Sequence, residues 1–337
     1  MKKIFGQLPT GETAYLYTLS SGLFKATVSD FGATLVNLWV PDKNGVIDDV
    51  VLGYDSLEAY AADTMYMGAI VGRNANRIAK ASFVLNNKTY RLSDNEGGNN
   101  LHSGPDIFNI RMWDVVEFDD SHIRLHLFSP NGDQGYPGNA HIYVTYTLEG
   151  DALKISYDAI SDQDTVFNLT NHSFFNLCGQ EHQEKAYSQI LSMPARFFTP
   201  SDAKNIPTGE CRSVEGTPMD FRKPKPIGRD VFVDYEPLNL ANGYDHNFEV
   251  FCNPCATLSD PESGRSMAVS TDCPGIQLYT GNFTYGMGKG GVEYKIRCGI
   301  ALETQFFPDS VHHPEWAQPF TKAGERYRSE TVYRFTW

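Results

Sequence analysis

Apolar and polar residues alternate one by one along much of the chain. Residues 35–40, 113–118, 123–128, 141–148, 153–157, 275–280 and 332–337 all do so and are rich in β-branched or aromatic side chains. A period of two sends successive side chains to opposite faces of an extended backbone, so each run predicts a strand with one buried face. Turn signals separate the runs at hairpin-like spacing: DKNG at 42–45, NGD at 131–133, EGD at 149–151 and SG at 263–264. Helical periodicity is scarce. Its best example is SLEAYAAD at 56–63, opened by Ser56 as a capping residue, with a weaker stretch near Tyr187. The pattern predicts an all-β protein, a sandwich or barrel. With no linker, repeat or step in composition, it predicts one domain over residues 1–337. The proline-rich RKPKPI at 222–227 reads as a surface loop.

Composition narrows the partners more than the fold. Of 337 residues 41% are hydrophobic, enough for a large core, while 28 basic residues against 41 acidic ones leave a net charge of −13. That field repels phosphate backbones and anionic membranes, so neither nucleic acid nor membrane is an expected partner. No apolar stretch is long enough to span a bilayer, and the opening MKKIFGQLPTGET lacks the apolar run of an export signal, which predicts a cytoplasmic location. The six cysteines are scattered and are expected to be reduced; CNPC at 252–255 has no second half with which to build a zinc site.

Several common chemistries lack their motifs. GMGKGG at 286–291 matches a dinucleotide fingerprint in letters only: the following VEYKIRCGIALETQ alternates like a strand, where phosphate binding needs a helix N-terminus. It reads as a flexible glycine loop. There is no phosphate-loop lysine motif, no G-x-S-x-G elbow and no H-E-x-x-H. His122 and His126 would stand about 13 Å apart on a strand, too far to share a metal, and His312 and His313 read as solvated or hydrogen-bonded loop residues. Six segments then stand out, because each embeds polar groups in apolar or glycine-rich surroundings where burial is costly without partners or a task. They are MGAIVGRNANRI (67–78), NLHSG (100–104), NLTNHSFFNL (168–177), GYDHNF (243–248), PGIQLYTGN (274–282) and LETQFFPD (302–309). Taken singly, His172 reads as a satisfied core histidine, and Glu303 equally as an ion-paired carboxylate or as a base.

Together and in this order, the six segments resemble the aldose 1-epimerase (galactose mutarotase) family, as do FGATL at 31–35, DVVLGY at 49–54 and DQGYPG at 133–138. The resemblance implies a large antiparallel β-sandwich with an open cleft for a monosaccharide, and neither cofactor nor metal. It implies His172 as general acid and Glu303 as general base, with Asn76, Arg77, His102, Phe174, Asp245 and Gln277 holding the sugar. Phe174 and Phe283 would offer rings to its apolar face. Ring opening takes a proton from the anomeric hydroxyl and gives one to the ring oxygen, so it calls for Glu303 ionised and His172 protonated at one pH. Two departures from the family pattern bear on specificity: Phe174 replaces a frequent tyrosine, and Ser103 replaces a frequent glycine. Three alternatives stay open: a catalytically silent sugar-binding protein on the same fold, a glycosidase using Asp245 and Glu303, and a sugar-phosphate mutarotase helped by Lys289 and Lys295.

Overall fold

The computed structural model describes residues 1–337. The predicted strands form, with most ends shifted by one to six residues: Leu35–Pro41, Asp114–Phe118, His122–Ser129, Ala140–Glu149, Ala152–Ser161, Gly275–Tyr279 and Arg326–Thr336. Every ladder between named strands is antiparallel, and most strands join three sheets of five, nine and six strands. The five-stranded sheet is the N-terminal meander from Lys2–Gln7 to Ile47–Asp49. The nine-stranded sheet runs from the edge strand Asp114–Phe118 through Ala152–Ser161 and Arg326–Thr336 to the short Lys225–Pro226. The six-stranded sheet has the order Phe174–Phe175, Ile300–Gln305, Gly275–Tyr279, Asp245–Glu249, Phe197–Thr199, Arg212–Ser213.

A single cluster of 54 buried residues draws side chains from all three sheets. Ile276, Leu278 and Leu302 project from the six-stranded sheet into it, and the Tyr333 hydroxyl of the nine-stranded sheet donates to the Leu302 carbonyl at 3.2 Å. The period of two therefore sends Gln277, Tyr279, Glu303 and Gln305 to the opposite face, away from that core. This alternation places the functional face.

The helical expectations hold at 56–63, where Leu57–Ala61 is helical and the Ser56 hydroxyl accepts the Ala59 N–H, and near Tyr187, where Gln183–Ser188 forms a 3₁₀ turn. Three expectations need correction. The helix Glu236–Ala241 was not predicted: it is short, begins with Glu-Pro and has no side-chain cap to announce it. RKPKPI is only partly a loop, since Lys225–Pro226 forms the edge of the large sheet, a place where proline is tolerated, and the buried Lys225 ammonium lies 2.7 Å from Asp230. The strand expected throughout 292–305 stops after Glu293–Tyr294 and resumes at Ile300–Gln305, because the Arg297 N–H turns aside to the Gly281 carbonyl. His312 and His313 are hydrogen-bonded as expected: the exposed His312 bonds Asp309 at 2.7 Å, and His313 bonds Glu315 at 3.1 Å and stacks on Trp316. No helix is long and apolar enough to cross a membrane.

Candidate active site

The outward face of the six-stranded sheet is the floor of a cavity of about 400 Å³. Register sets Glu303 opposite Gln277, Gln277 opposite Asn247, and Tyr279 opposite Asp245, so acids, amides and a phenol line up across three strands. Glu303 is 2% exposed, and its Oε2 finds no partner within the protein.

His172 faces it from the neighbouring wall. The short strand Thr170–Asn171 pairs with Ile70–Val71, the Gly68 N–H donates to the His172 carbonyl at 3.0 Å, and the His172 N–H donates to the Ala69 carbonyl at 2.9 Å. Gly68 is required for this approach: its φ is +71°, and a Cβ there would sit 2.2 Å from the Leu35 carbonyl oxygen. The Asn171 side chain bonds the Gly68 carbonyl and the Ser173 hydroxyl, so the segment around His172 is fixed on both sides. The His172 Nε2 lies 3.6 Å from Glu303 Oε1, and its ring packs among Tyr66, His102 and Phe174.

The third side is built by Arg77–Ile78 pairing with Asn100–Leu101. Here the Asn76 N–H donates to His102 Nδ1 at 3.1 Å, and the His102 N–H donates to the Asn76 carbonyl at 2.9 Å. An accepting Nδ1 leaves the neutral His102 ring its proton on Nε2, as a donor. Tyr66, Asn76, His102 and Asn205, all lining the cavity, have φ between 53° and 60°, a left-handed conformation that non-glycine residues hold only where the surroundings impose it.

The electrostatics follow from burial. Glu303 is pushed up to about 8, chiefly by desolvation and secondly by the Asp245 charge, against a smaller opposing effect of Arg77. His172 is pushed down to about 4 by desolvation, and His102 is lowered well below the ordinary range by desolvation and by His172. Both directions run against the expected placement of charge: burial penalises two separated charges, and 3.6 Å is too long for a charge-assisted hydrogen bond, so the shifts favour a neutral Glu303 carboxyl beside a neutral His172.

A buried acid–base pair beneath a ring of hydrogen-bonding groups is what an acid–base enzyme for a polyhydroxyl substrate requires, and the comparisons with known proteins agree. The family model described as aldose 1-epimerase matches residues 15–334. The chain belongs to the aldose 1-epimerase family. It is 40% identical to the galactose mutarotase of Bos taurus over 99% of this chain and 98% of that one, and 39% identical to the aldose 1-epimerase of Haemophilus influenzae over 97% of each. Among solved structures, an aldose epimerase homologue from C. elegans superposes with a TM-score of 0.89 at 31% identity, covering 96% of this chain and 99% of that one.

Of the residues the family resemblance named, the cavity brings together His172, Glu303, Asn76, Arg77, His102 and Asp245, with Phe283 at its rim, 56% exposed. Two are placed differently. Phe174 is fully buried and packs behind His172 and Tyr279, at centroid distances of 5.2 and 5.7 Å, so its ring supports those side chains and is closed to a sugar. Gln277 lies outside the lining, and its Nε2 donates to Asp245 Oδ1 at 2.6 Å, so it orients the aspartate. Ser103 holds the left-handed φ of 62° that a glycine would favour, stabilised by bonds between its hydroxyl and both backbone groups of Asn74. Sequence reasoning missed Tyr66, Glu96, Asn205 and Tyr279 in the lining. Tyr279 was findable, standing two residues from Gln277 on the same strand face. Glu96 and Asn205 sit in turns that carry no periodic signal.

Proposed function

We propose that the protein is an aldose 1-epimerase that interconverts the α and β anomers of neutral aldohexoses such as galactose and glucose. The observation that carries this reading is the buried His172–Glu303 pair, 3.6 Å apart at the base of the cavity. Relatives named galactose mutarotase and aldose 1-epimerase, 36 to 40% identical over nearly the whole chain, support it.

In the proposed mechanism, the one proton of the pair passes from Glu303 to His172 through a bound hydroxyl. Glu303 then takes the anomeric proton while His172 protonates the ring oxygen, and the hemiacetal opens. Rotation about C1–C2 presents the other carbonyl face, and the two groups exchange roles on closure. Burial makes Glu303 a stronger base and His172 a stronger acid than their solvated counterparts, which is the direction ring opening requires. Asp245 accepts from vicinal hydroxyls, while Arg77 and the Nε2–H of His102 donate to oxygens that gain charge.

A neutral sugar suits the cavity better than a phosphorylated one. The carboxylates of Glu96 and Asp245 line it against a single arginine. Lys289 is buried elsewhere, its ammonium on Asp49 and the Val36 carbonyl, and the exposed Lys295 lies outside the lining.

Polarimetry of freshly dissolved α-D-galactose and α-D-glucose, with and without protein, tests the reading. A protein-dependent approach to anomeric equilibrium is expected, with no added cofactor. Binding without acceleration would instead make the chain a sugar-binding protein. The dependence of kcat/KM on pH is expected to be bell-shaped: the pair keeps its single proton between about 4 and about 8, and above that range loses the proton it must deliver. A rate still rising well above pH 8 would contradict the assignment.

A further inference from the structure

Glu96 lines the cavity yet takes no part in the proton transfers. Its two carboxylate oxygens grip the Arg77 guanidinium as a fork, Nε to Oε2 and Nη2 to Oε1, both at 2.7 Å. Arg77 is 8% exposed, and this grip uses two of its three nitrogens. The third, Nη1, stands 4.0 Å from Asp245 Oδ2, outside hydrogen-bond range. Nη1 therefore lies beside the aspartate with donors to spare.

The turn that carries Glu96 is held more firmly than a surface loop needs. The Glu96 and Asn99 backbones bond each other in both directions, Asn95 Oδ1 accepts the Leu101 N–H at 2.8 Å, and Asp94 accepts the Gly98 N–H at 2.8 Å. From a neighbouring turn the Lys204 ammonium donates to the Gly97 carbonyl at 3.2 Å. Asn205, the next residue along, lines the cavity. The two turns thus brace each other on one side of the opening.

We infer that Glu96 is a positioning residue for the sugar. By fixing the plane of the Arg77 guanidinium, it aims the Nη1 donors at a substrate oxygen next to Asp245, and by offsetting the arginine charge it limits how far Arg77 acts on the acid–base pair. The inference rests on the epimerase reading. A bidentate carboxylate–guanidinium contact fixes orientation in a way that a single hydrogen bond or a lysine would not. Glu303 faces His172, Asp245, Arg77 and Tyr279 around the cavity and Tyr333 from beneath. Arg77 is the permanent cation of that set, so its neutralisation by Glu96 matters to the whole group.

The test compares Glu96→Ala and Glu96→Gln with the wild type on α-D-galactose. In Glu96→Ala, KM is expected to rise about tenfold, the loss of one well-aimed charge-assisted hydrogen bond, with kcat within about threefold. Glu96→Gln, which keeps one acceptor, is expected to fall between. The alkaline limb of kcat/KM should move to lower pH in both variants, because an unneutralised Arg77 draws the proton off Glu303 sooner; a purely structural role would not move it. Melting temperatures are expected to stay close to wild type, since the carboxylate is a third exposed. An unchanged KM together with an unmoved alkaline limb in Glu96→Ala would overturn the inference. Calorimetric titration with galactose separates the two readings. Weaker binding in Glu96→Ala, with no turnover by the wild type, would sustain the role of Glu96 and sink the epimerase. Equal binding, with an active wild type, would overturn the role of Glu96 alone.

Discussion

Replacing Glu303 by glutamine is expected to lower kcat for mutarotation by at least about a hundredfold, the lower end of what a positioned acid or base contributes. The amide matches the neutral carboxylic acid in size and in hydrogen-bonding ends, so packing against the strand Gly275–Tyr279 is preserved while the group can no longer gain or lose the proton. The same change should make the protein more stable, and by an amount that depends on pH. In the folded protein Glu303 keeps its proton up to about 8, against an ordinary value of 4.5. The stabilisation that goes with the protonated form is complete below the ordinary value and is lost progressively as pH rises through about 8, because the unfolded chain ionises first. Glutamine carries no such dependence. The melting temperature of Glu303→Gln should therefore match wild type near pH 4 and exceed it by at least ~2 °C near pH 8, the shift that about 1 kcal/mol produces in a chain of this size. Near-normal turnover in this variant would sink the assignment of Glu303 as the base. A fall in stability at pH 8 would show that burial does not hold the acid neutral.

The strand carrying Glu303 shows how far local pattern reaches. In LETQ the alternation separates Leu302 from Glu303, and the structure puts the leucine in the core and the carboxylate on the floor of the cavity. The sheet-rich architecture was legible for the same reason, since each strand reports its own buried face. What eluded the sequence depends on partners distant in the chain. Phe174 and Phe175 are adjacent and look equivalent, yet one packs under His172 and the other against Tyr333, 158 residues further on by the numbering. The family motif contains Gln277 but does not show its hydrogen bond to Asp245, 32 residues away. Nothing in the sequence singled out Glu96, whose arginine lies 19 positions earlier. The shifts of the acid–base pair were hidden on similar grounds: residue type gives the ordinary pKa, and only the packed surroundings show how deeply both groups are buried.

Replacing His172 by asparagine is expected to cost kcat at least about a hundredfold as well, with a stability effect opposite to that of Glu303→Gln. The imidazole is buried among Tyr66, His102 and Phe174, so the smaller side chain removes contacts to these rings and should lower the melting temperature near neutral pH. The pH dependence also reverses. His172 stays neutral in the fold down to about 4, so its contribution is fully present above the ordinary value of 6.5 and is lost as pH falls through about 4, while the unfolded chain takes up the proton first. The deficit of the asparagine variant should accordingly shrink on acidification. Galactose affinity should stay within about tenfold of wild type, because Asp245, Arg77 and Asn76 remain, so the loss should fall on kcat rather than KM. One variant is thus expected to be more stable than wild type and the other less, while both lose turnover. A common fall in rate across opposite changes in stability cannot come from unfolding, and assigns the loss to the proton that the two residues share.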